Sequence, residues 1–261
     1  GDYLNIEEGM NSGHFVKINK YIKFKYYLSL IPQFLLFYKE IIFNPYMKKY
    51  KKICDKQSRW FNLNLIIHSI VLRILSEHKI LNGNVCTIGD GKANFVNGIL
   101  DNKNIKKIFS VNLPQALIQD YLVLREFNSI DDNLIKVVER EEDIFDKTCK
   151  LFLIPVQNKR FLNNKDINLF VNISSFQEMP ISETHKYVDI AISNNAYLYS
   201  LNNQEKIMYD KTKINYNDYG FKEKGNIIFE DEAKFSKYYY NSSFPFIHKK
   251  KGKVISALAK F

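Results

Sequence analysis

The stretch that decides the fold is Val85-Cys86-Thr87-Ile88-Gly89-Asp90-Gly91-Lys92-Ala93. It begins with a short, largely apolar run that is typical of a buried strand. Two glycines then allow a tight turn and the close approach of a ligand to the backbone. A helix-compatible segment from Lys92 to Leu100 follows. A strand, a glycine turn and a helix in this order indicate the start of an α/β domain.

Strand candidates alternate with helix-like segments along the rest of the chain. They are Lys106–Val111, Leu134–Val138, Leu151–Ile154, Ile167–Val171, Tyr197–Leu201, Asn226–Phe229 and Val254–Leu258. One helix is expected from Pro114 to about Phe127, because proline suits a first helical turn. Another is expected to about Ser193, with Ser182 as its N-cap. The alternation predicts a doubly wound, Rossmann-like α/β sheet that is mostly parallel.

The first eighty residues have a helical character instead. From Leu63 to Leu75 apolar residues recur every three or four positions, which predicts one amphipathic helix. Upstream, aromatic-rich helices are expected between residues 21 and 50, with breaks near Pro32 and at Asn44-Pro45. Most of their aromatic side chains are expected in the core, and His68 and His78 at an edge or in solvent. We therefore predict a helical extension over residues 1–80 and a Rossmann-like domain over residues 81–261.

Composition narrows the class of protein. The chain has 261 residues, 46% of them apolar, which excludes full disorder, and only 10 Gly and 6 Pro, which excludes collagen-like repeats. Three cysteines without close pairing predict neither a disulfide framework nor a zinc site, and they suit a reducing, cytoplasmic compartment. The apolar stretch Tyr26–Tyr38 falls short of the ~20 residues that a membrane helix needs.

The net charge of +10 raises the question of a nucleic-acid partner. Only five of the 38 basic residues are arginine, the side chain best suited to reading bases and phosphates. The lysines are scattered, with short clusters at Lys48–Lys52 and Lys249–Lys251. This pattern favours a solvated, lysine-rich surface, and non-specific attraction to anionic partners stays open.

The glycine turn and the end of the next strand together predict a nucleoside site. Asn112 ends the second strand about twenty residues after the turn, where dinucleotide folds place a ribose ligand. No G-K-[ST] follows Gly91, so the turn is not a P-loop, and Asn94 stands where a dinucleotide motif has its third glycine. A nucleoside without a pyrophosphate tolerates this change. The alternative is a purely structural turn.

A second polar segment, Asn168–Pro180, follows the strand that ends near Asn172. It contains Ser174, Ser175, Gln177 and Glu178. Ligands of open α/β sheets bind at the carboxyl ends of the strands, where this loop is expected. The alternative is a loop that caps the following helix, with the charge of Glu178 near the helix start.

These segments together resemble the sugar O-methyltransferases, a branch of the class I S-adenosylmethionine-dependent methyltransferases. The similar segments are Ile88–Gly91, Asn112–Pro114 with its following helix, Ser175-Phe176-Gln177-Glu178-Met179, and Tyr197–Asn202. The S-F-Q-E-M string is the most specific of them. The similarity runs from about Arg59 to the C-terminus.

The resemblance implies a seven-stranded methyltransferase sheet with helices on both faces and an antiparallel C-terminal strand. It places S-adenosyl-L-methionine across the carboxyl ends of the first strands, under a cover of the helices of residues 14–60. The cofactor-binding residues that it implies are Gly89, Asp90 and Gly91 at the methionine part, Asn112 and Leu113 at the ribose, Gln157 at the adenine, and Thr87 and Asn172 nearby.

Two positions depart from the family pattern. An acidic residue is expected at Thr87, and an aspartate at Asn112, whose amide offers a ribose fewer acceptor sites than a carboxylate. The cofactor then binds more weakly, or Asp90 supplies the missing charge, or the chain is a non-catalytic member.

The expected reaction is in-line methyl transfer to a hydroxyl of a sugar or glycan. A general base accelerates such a step by ~10²–10⁴-fold. The candidates for this catalytic role are Glu178 first and His185 second, with His248 weaker. No cluster of metal-ligand residues is visible in the sequence, so the predicted reaction needs no metal. The alternatives are a nucleic-acid methyltransferase and a binding protein that has lost the chemistry.

Overall fold

The computed structural model describes residues 20–57, 61–126, 130–208, 211–240 and 246–261. Arg59, Phe127 and residues 14–19 of the predicted segments lie outside these ranges. By its contacts the chain forms two compact units. Among the described residues, the helical unit comprises 20–57, 61–77, 234–240 and 246–251, and the sheet unit comprises 78–126, 130–208, 211–233 and 252–261.

Helices and strands are numbered in chain order. The helices are α1 (Lys20–Phe43), α2 (Pro45–Lys56), α3 (Leu63–Glu77), α4 (Asn94–Ile99), α5 (Pro114–Glu126), α6 (Ile181–Ser193) and α7 (Phe221–Lys224). The strands are β1 (Gly83–Ile88), β2 (Ile105–Asn112), β3 (Ile135–Val137), β4 (Leu151–Pro155), β5 (Leu169–Ile173), β6 (Tyr197–Asn203), β7 (Glu205–Ile207), β8 (Lys213–Asn215), β9 (Asn226–Glu232), β10 (Tyr238–Tyr240), β11 (Ile247–Lys249) and β12 (Val254–Lys260).

The sheet unit is built on an eight-stranded sheet with the order β3-β4-β2-β1-β5-β6-β12-β9. The neighbours from β3 to β6 pair in parallel, whereas β12 pairs antiparallel with both β6 and β9. This confirms the predicted fold class with its reversed C-terminal strand. The sheet has one strand more than the resemblance implies, because the three-residue β3 extends the edge beside β4.

The central strands form the core through short, largely apolar runs, which are residues 85–88 in β1 and 108–111 in β2. The side chains of Val85 and Ile88 in β1 and of Ile108 and Val111 in β2 are fully buried. Strands that are covered on both faces have such apolar runs. The N-cap of α6 is Pro180 and not the predicted Ser182, which lies within the first turn.

In the helical unit the predicted helix breaks are confirmed at one place and wrong at the other. Asn44 separates α1 from α2, and its side-chain oxygen accepts a hydrogen bond from the Tyr46 N–H at 3.0 Å, with Pro45 in the first turn. The helix continues past Pro32 and instead leaves helical geometry at Phe37 (φ −121°, ψ 22°). An interior proline costs a helix ~3 kcal/mol through a lost hydrogen bond and a steric clash, so α1 continues past Pro32 against this cost.

Helix α3 carries the predicted apolar stripe, and ten of its fifteen residues are buried. His68 is buried as well, with its ring 6.5 Å from that of Tyr50, so its predicted exposure is wrong. His78, by contrast, is exposed and stacks on Phe229 at 5.1 Å.

Helix α1 reverses the usual distribution of apolar side chains. Its buried positions are Ser29, Gln33 and Phe37, four residues apart and therefore on one face. Most of the aromatic and aliphatic side chains on its other faces are exposed, which contradicts the expectation that they form a core. None of the described helices is long and apolar enough to cross a bilayer.

Candidate functional site

The carboxyl ends of four neighbouring strands bring most of the predicted cofactor residues to one edge of the sheet unit. In the register of the sheet, Ile88 of β1 lies beside Val111 of β2 and Asn172 of β5. On the other side, Asn112 lies beside Pro155, the last residue of β4. The turn after β1, the end of β2, the start of the segment after β4 and the end of β5 are therefore adjacent.

The two glycines of the turn have different roles. Gly89 has a φ of +71°, and a Cβ built on it would lie 2.4 Å from the Cβ of Ser175. Ser175 already fills the space beside Gly89, so this glycine serves the packing of two loops. Gly91 has ordinary backbone geometry, and a Cβ built on it meets no atom within 4 Å. Gly91 therefore borders open space at the edge where the strands end.

Asp90 caps helix α4 with its side chain. One carboxylate oxygen accepts the N–H of Phe95 and the other that of Val96, both at 2.8 Å, and the residue is buried. Both oxygens therefore hold the start of the helix, and the hypothesis that Asp90 supplies the charge missing at position 112 stays a prediction. The turn reaches this cap through two residues with positive φ, Lys92 and Ala93.

The carboxylate beside Asn112 is Asp120, which the sequence analysis missed. Asp120 lies on the buried face of α5 and accepts hydrogen bonds from the Ala93 N–H at 2.8 Å and from the Asn112 amide at 3.4 Å. Burial, and then the nearby charge of Asp90, raise the pKa of Asp120 to about 8. The detectable signal was an acidic residue at an apolar position of α5, between Leu117 and Leu124.

This arrangement explains the departure at position 112. An aspartate there would place a second carboxyl group against Asp120, and two such neighbours cannot both ionise without repelling each other. Asn112 instead donates to Asp120, and its side-chain oxygen accepts the Leu113 N–H at 3.0 Å. An amide oxygen has two lone pairs, so one acceptor site is left for a ligand hydroxyl.

The polar residues after β5 form a hydrogen-bond network that joins three strand ends. The Asn172 amide donates to the Ile88 carbonyl at 3.2 Å and to the Ser175 hydroxyl. Its oxygen accepts the Phe176 N–H and the Asn202 amide, the latter at 2.8 Å. The sequence analysis did not identify Asn202, because its partner lies 30 residues away.

Gln177 extends the same network and is almost wholly buried. Its side-chain oxygen accepts the Asn203 N–H at 2.7 Å, and its own N–H donates to Asn202. The polarity of this loop is thus largely used for holding β1, β5 and β6 together. Asn172, a predicted cofactor residue, is fully buried at the centre of the network.

The two catalytic candidates have different environments. Glu178 is the last residue of the short 3₁₀ turn Phe176–Glu178, and its side chain is exposed. Its carboxylate has no ion pair or hydrogen bond in the described parts of the chain. His185 lies on α6, where its Nε2 is 2.7 Å from the Asp218 carbonyl and therefore carries a proton. The structure does not bring His185 into contact with the residues of the edge.

The remaining predicted residues differ in their exposure. Leu113 and Gln157 are exposed beside Asn112 and Pro155, whereas Thr87 is buried within β1. Within the described residues, no group of three or more His, Cys, Asp or Glu side chains is arranged to hold a metal ion.

No protein-family model and no curated protein sequence matches the chain. Solved structures with a similar architecture include the methyltransferase domain of bacterial CtHen1, with a TM-score of 0.47 and 9% identity over 77% of this chain and 100% of that one. A second is an S-adenosylmethionine-dependent methyltransferase from Clostridium acetobutylicum. Its TM-score is 0.46 and its sequence identity 12%, over 74% of this chain and 90% of that one.

A third is TrmK from M. capricolum in complex with S-adenosyl-homocysteine. Its TM-score is 0.40 and its sequence identity 11%, over 70% of this chain. The match spans 66% of the TrmK chain, which is just under two thirds of its length. All three TM-scores lie below 0.5, so the fold assignment depends on this chain's own strand order. That order, with β12 reversed between β6 and β9, defines a Rossmann-like methyltransferase fold.

Proposed function

We propose that this chain is a methyltransferase that uses S-adenosyl-L-methionine and methylates a hydroxyl of a sugar or glycan. The observation that carries the proposal is the open space beside Gly91, next to Asn112, at the edge where β1 and β2 end. The resemblance to the sugar O-methyltransferases supports the class of acceptor.

The residues at this edge fit such a cofactor. When bound, the cofactor supplies a methyl group on a positively charged sulfur. Gly91 allows the close approach of a ligand to the turn, and Asn112 has one acceptor site for a ribose hydroxyl. The exposed side chains of Leu113 and Gln157 are available to an adenine from the neighbouring strand ends.

Glu178 is the proposed general base. The acceptor hydroxyl has to lose its proton, and an exposed carboxylate without a partner can accept it. The network around Asn172 and Gln177 holds the backbone of this loop, so the position of Glu178 is fixed by its neighbours. His185 is assigned a structural role, because its Nε2 is bound to the Asp218 carbonyl.

Calorimetric titration with S-adenosyl-homocysteine tests the cofactor site through Gly91→Val. The valine fills space that is empty in the structure, so folding stays intact while the affinity falls by about 100-fold or more. Lys147→Val, at an exposed position elsewhere in the sheet unit, is the control and keeps the wild-type affinity. An unchanged dissociation constant for Gly91→Val would exclude the site.

The acceptor is tested by transfer of a labelled methyl group to glycan and RNA fractions. Label in glycans supports the proposal. Label in RNA alone would instead make the chain a nucleic-acid methyltransferase. Cofactor binding without transfer to either fraction would indicate a protein that kept the fold and lost the chemistry.

A further inference from the structure

A long stripe of exposed apolar side chains runs along α1. Its members recur every three or four residues and are between 46% and 68% exposed: Phe24, Tyr27, Ile31, Phe34, Leu35, Tyr38 and Ile42. We call this set the α1 stripe. It lies opposite the buried face of the helix, which Ser29, Gln33 and Phe37 form. Single exposed apolar residues are common on proteins, whereas a continuous stripe indicates a surface that contacts something apolar.

The same segment accounts for most of the net positive charge of the protein. Residues 20–57 contain nine lysines against Glu40 and Asp55, a net charge of +7 in a chain of net charge +10. On α2 the side chains of Lys48, Lys51, Lys52 and Lys56 are exposed. The helical segment thus combines an exposed apolar stripe with a strongly basic helix.

A groove between α1 and α2 joins these two features. It has a volume of about 530 Å³ and is closed on one side by Ile66 of α3. Phe34 of the α1 stripe lines it together with Lys48 and Lys51, and Asp55 is the one acid among the described residues of its lining. Gln33 lines the groove from its buried side, and its Oε1 accepts no hydrogen bond within the described chain. A buried amide oxygen of this kind is stabilised by a ligand that brings a hydroxyl.

We propose that α1 and α2 bind the surface of an anionic lipid bilayer. The α1 stripe would enter the boundary between headgroups and acyl chains, the lysines of α2 would contact the phosphates, and a headgroup hydroxyl would reach Gln33 in the groove. A helix with aromatic and aliphatic residues on one side and lysines beside it lies in the plane of the membrane interface. This binding is independent of the methyl transfer proposed above.

Two other occupants of the stripe fit the observations less well. A second copy of the chain would bring the same charge of +7 to the contact, and like charges oppose such pairing. A nucleic acid would use the lysines but would leave Ile31, Leu35 and Ile42 without a role, because it offers charged phosphates and aromatic bases.

Co-sedimentation of the full chain with vesicles tests the proposal. One set of vesicles contains equal parts of phosphatidylglycerol and phosphatidylcholine, and the other contains phosphatidylcholine alone. We expect binding to the anionic vesicles that weakens with added salt. The triple change Lys48→Gln, Lys51→Gln and Lys52→Gln should weaken it by about 100-fold, and Ile31→Ser with Leu35→Ser by at least about 10-fold.

Matched controls use exposed positions of the sheet unit. Ile118→Ser with Leu122→Ser removes comparable exposed apolar side chains, and Lys103→Gln, Lys106→Gln and Lys147→Gln remove the same charge. Both controls should bind as the wild type does. Equal binding of all variants would overturn the proposal.

Two further results would also overturn it. Light scattering that shows a dimer which Ile31→Ser with Leu35→Ser dissociates, without vesicle binding by the wild type, would assign the stripe to a second copy. RNA binding that the lysine variant loses and the stripe variant keeps, again without vesicle binding, would assign the basic helix to nucleic acid.

Discussion

At the scale of single residues, Glu178 separates catalysis from stability. Glu178→Gln keeps the shape of the side chain and removes its ability to accept a proton. We expect methyl transfer to fall by ~10²-fold or more with little change in cofactor affinity. Turnover and melting temperature are measured on the same variant. Glu223→Gln, at another exposed carboxylate of the sheet unit, is the control and should retain full turnover.

A structural role for Glu178 would produce the opposite pattern. A charge near a helix start contributes only ~0.3–1 kcal/mol of stability. Glu178→Gln would then lower the melting temperature slightly and leave turnover nearly unchanged. That result would remove Glu178 from the catalytic step.

Asp120 makes stability depend on pH. Its pKa is raised to about 8 in the folded protein, against about 4 in an unfolded chain. Between these values the folded protein holds a proton that the unfolded chain lacks, so its free energy of unfolding falls as pH rises, by roughly 1.4 kcal/mol per pH unit. Below about 4 and above about 8 this contribution is constant.

The variant Asp120→Asn tests this dependence, because an asparagine cannot titrate. Chemical unfolding at a series of pH values should show the stability of the variant rising relative to the wild type between about pH 4 and about pH 8. Asp231→Asn, an exposed acid, should give a curve without this trend. Parallel curves for Asp120→Asn and the wild type would show that the carboxyl is ionised throughout.

Residue roles were predictable from the sequence only where the reason is local. The tight turn at Gly89 and the polar end of β2 at Asn112 follow from neighbouring residues. The contact of Gly89 with Ser175 and the pairing of Asn172 with Asn202 depend on loops that meet only in the folded sheet. For the same reason the sequence did not show which carboxylate accompanies Asn112.

At the scale of elements, the turn after β1 and the loop after β5 are coupled through Gly89. Gly89→Ala brings a Cβ to 2.4 Å from that of Ser175 and also imposes a side chain at a φ of +71°. Gly252→Ala is the matched control, because Gly252 has a φ of +85° with no atom within 4 Å of a built Cβ. We expect Gly252→Ala to cost ~1–2 kcal/mol from backbone strain and Gly89→Ala about 3 kcal/mol or more.

A double-mutant cycle isolates the contact itself. Ser175→Gly removes the opposing Cβ, so Gly89→Ala should be less destabilising in that background than in the wild type. The free energy of unfolding is measured for all four proteins. If the effects of the two substitutions on the free energy of unfolding were additive, the two loops would be able to shift apart without loss of stability.

The strands were predictable because parallel strands at the centre of a sheet contain short apolar runs, as residues 85–88, 108–111 and 151–154 show. Helix boundaries were less predictable than the strands. Pro32 indicates a break, yet α1 leaves helical geometry at Phe37 instead, because the other hydrogen bonds and the packing of the helix outweigh the local cost of one proline.

At the scale of the whole molecule, the lysines were predicted to be scattered, with short clusters only at Lys48–Lys52 and Lys249–Lys251. Residues 20–57 have a net charge of +7, out of +10 for the whole chain. The structure shows that the same segment also exposes the α1 stripe. Counting lysine clusters along the chain could not reveal this, because the exposed side of α1 depends on what the helix packs against. The expectation of an aromatic core failed for the same reason.

The position of β12 between β6 and β9 also constrains the order of folding. Strand β9 is made before β12, yet in the described sheet it pairs only with β12. During synthesis the backbone of β9 therefore waits for a later part of the chain before it can pair, although Phe229 already has His78 and Tyr199 to pack against. The parallel half, from β4 to β6, is complete before that, so it can assemble first and serve as the template on which the last two strands close.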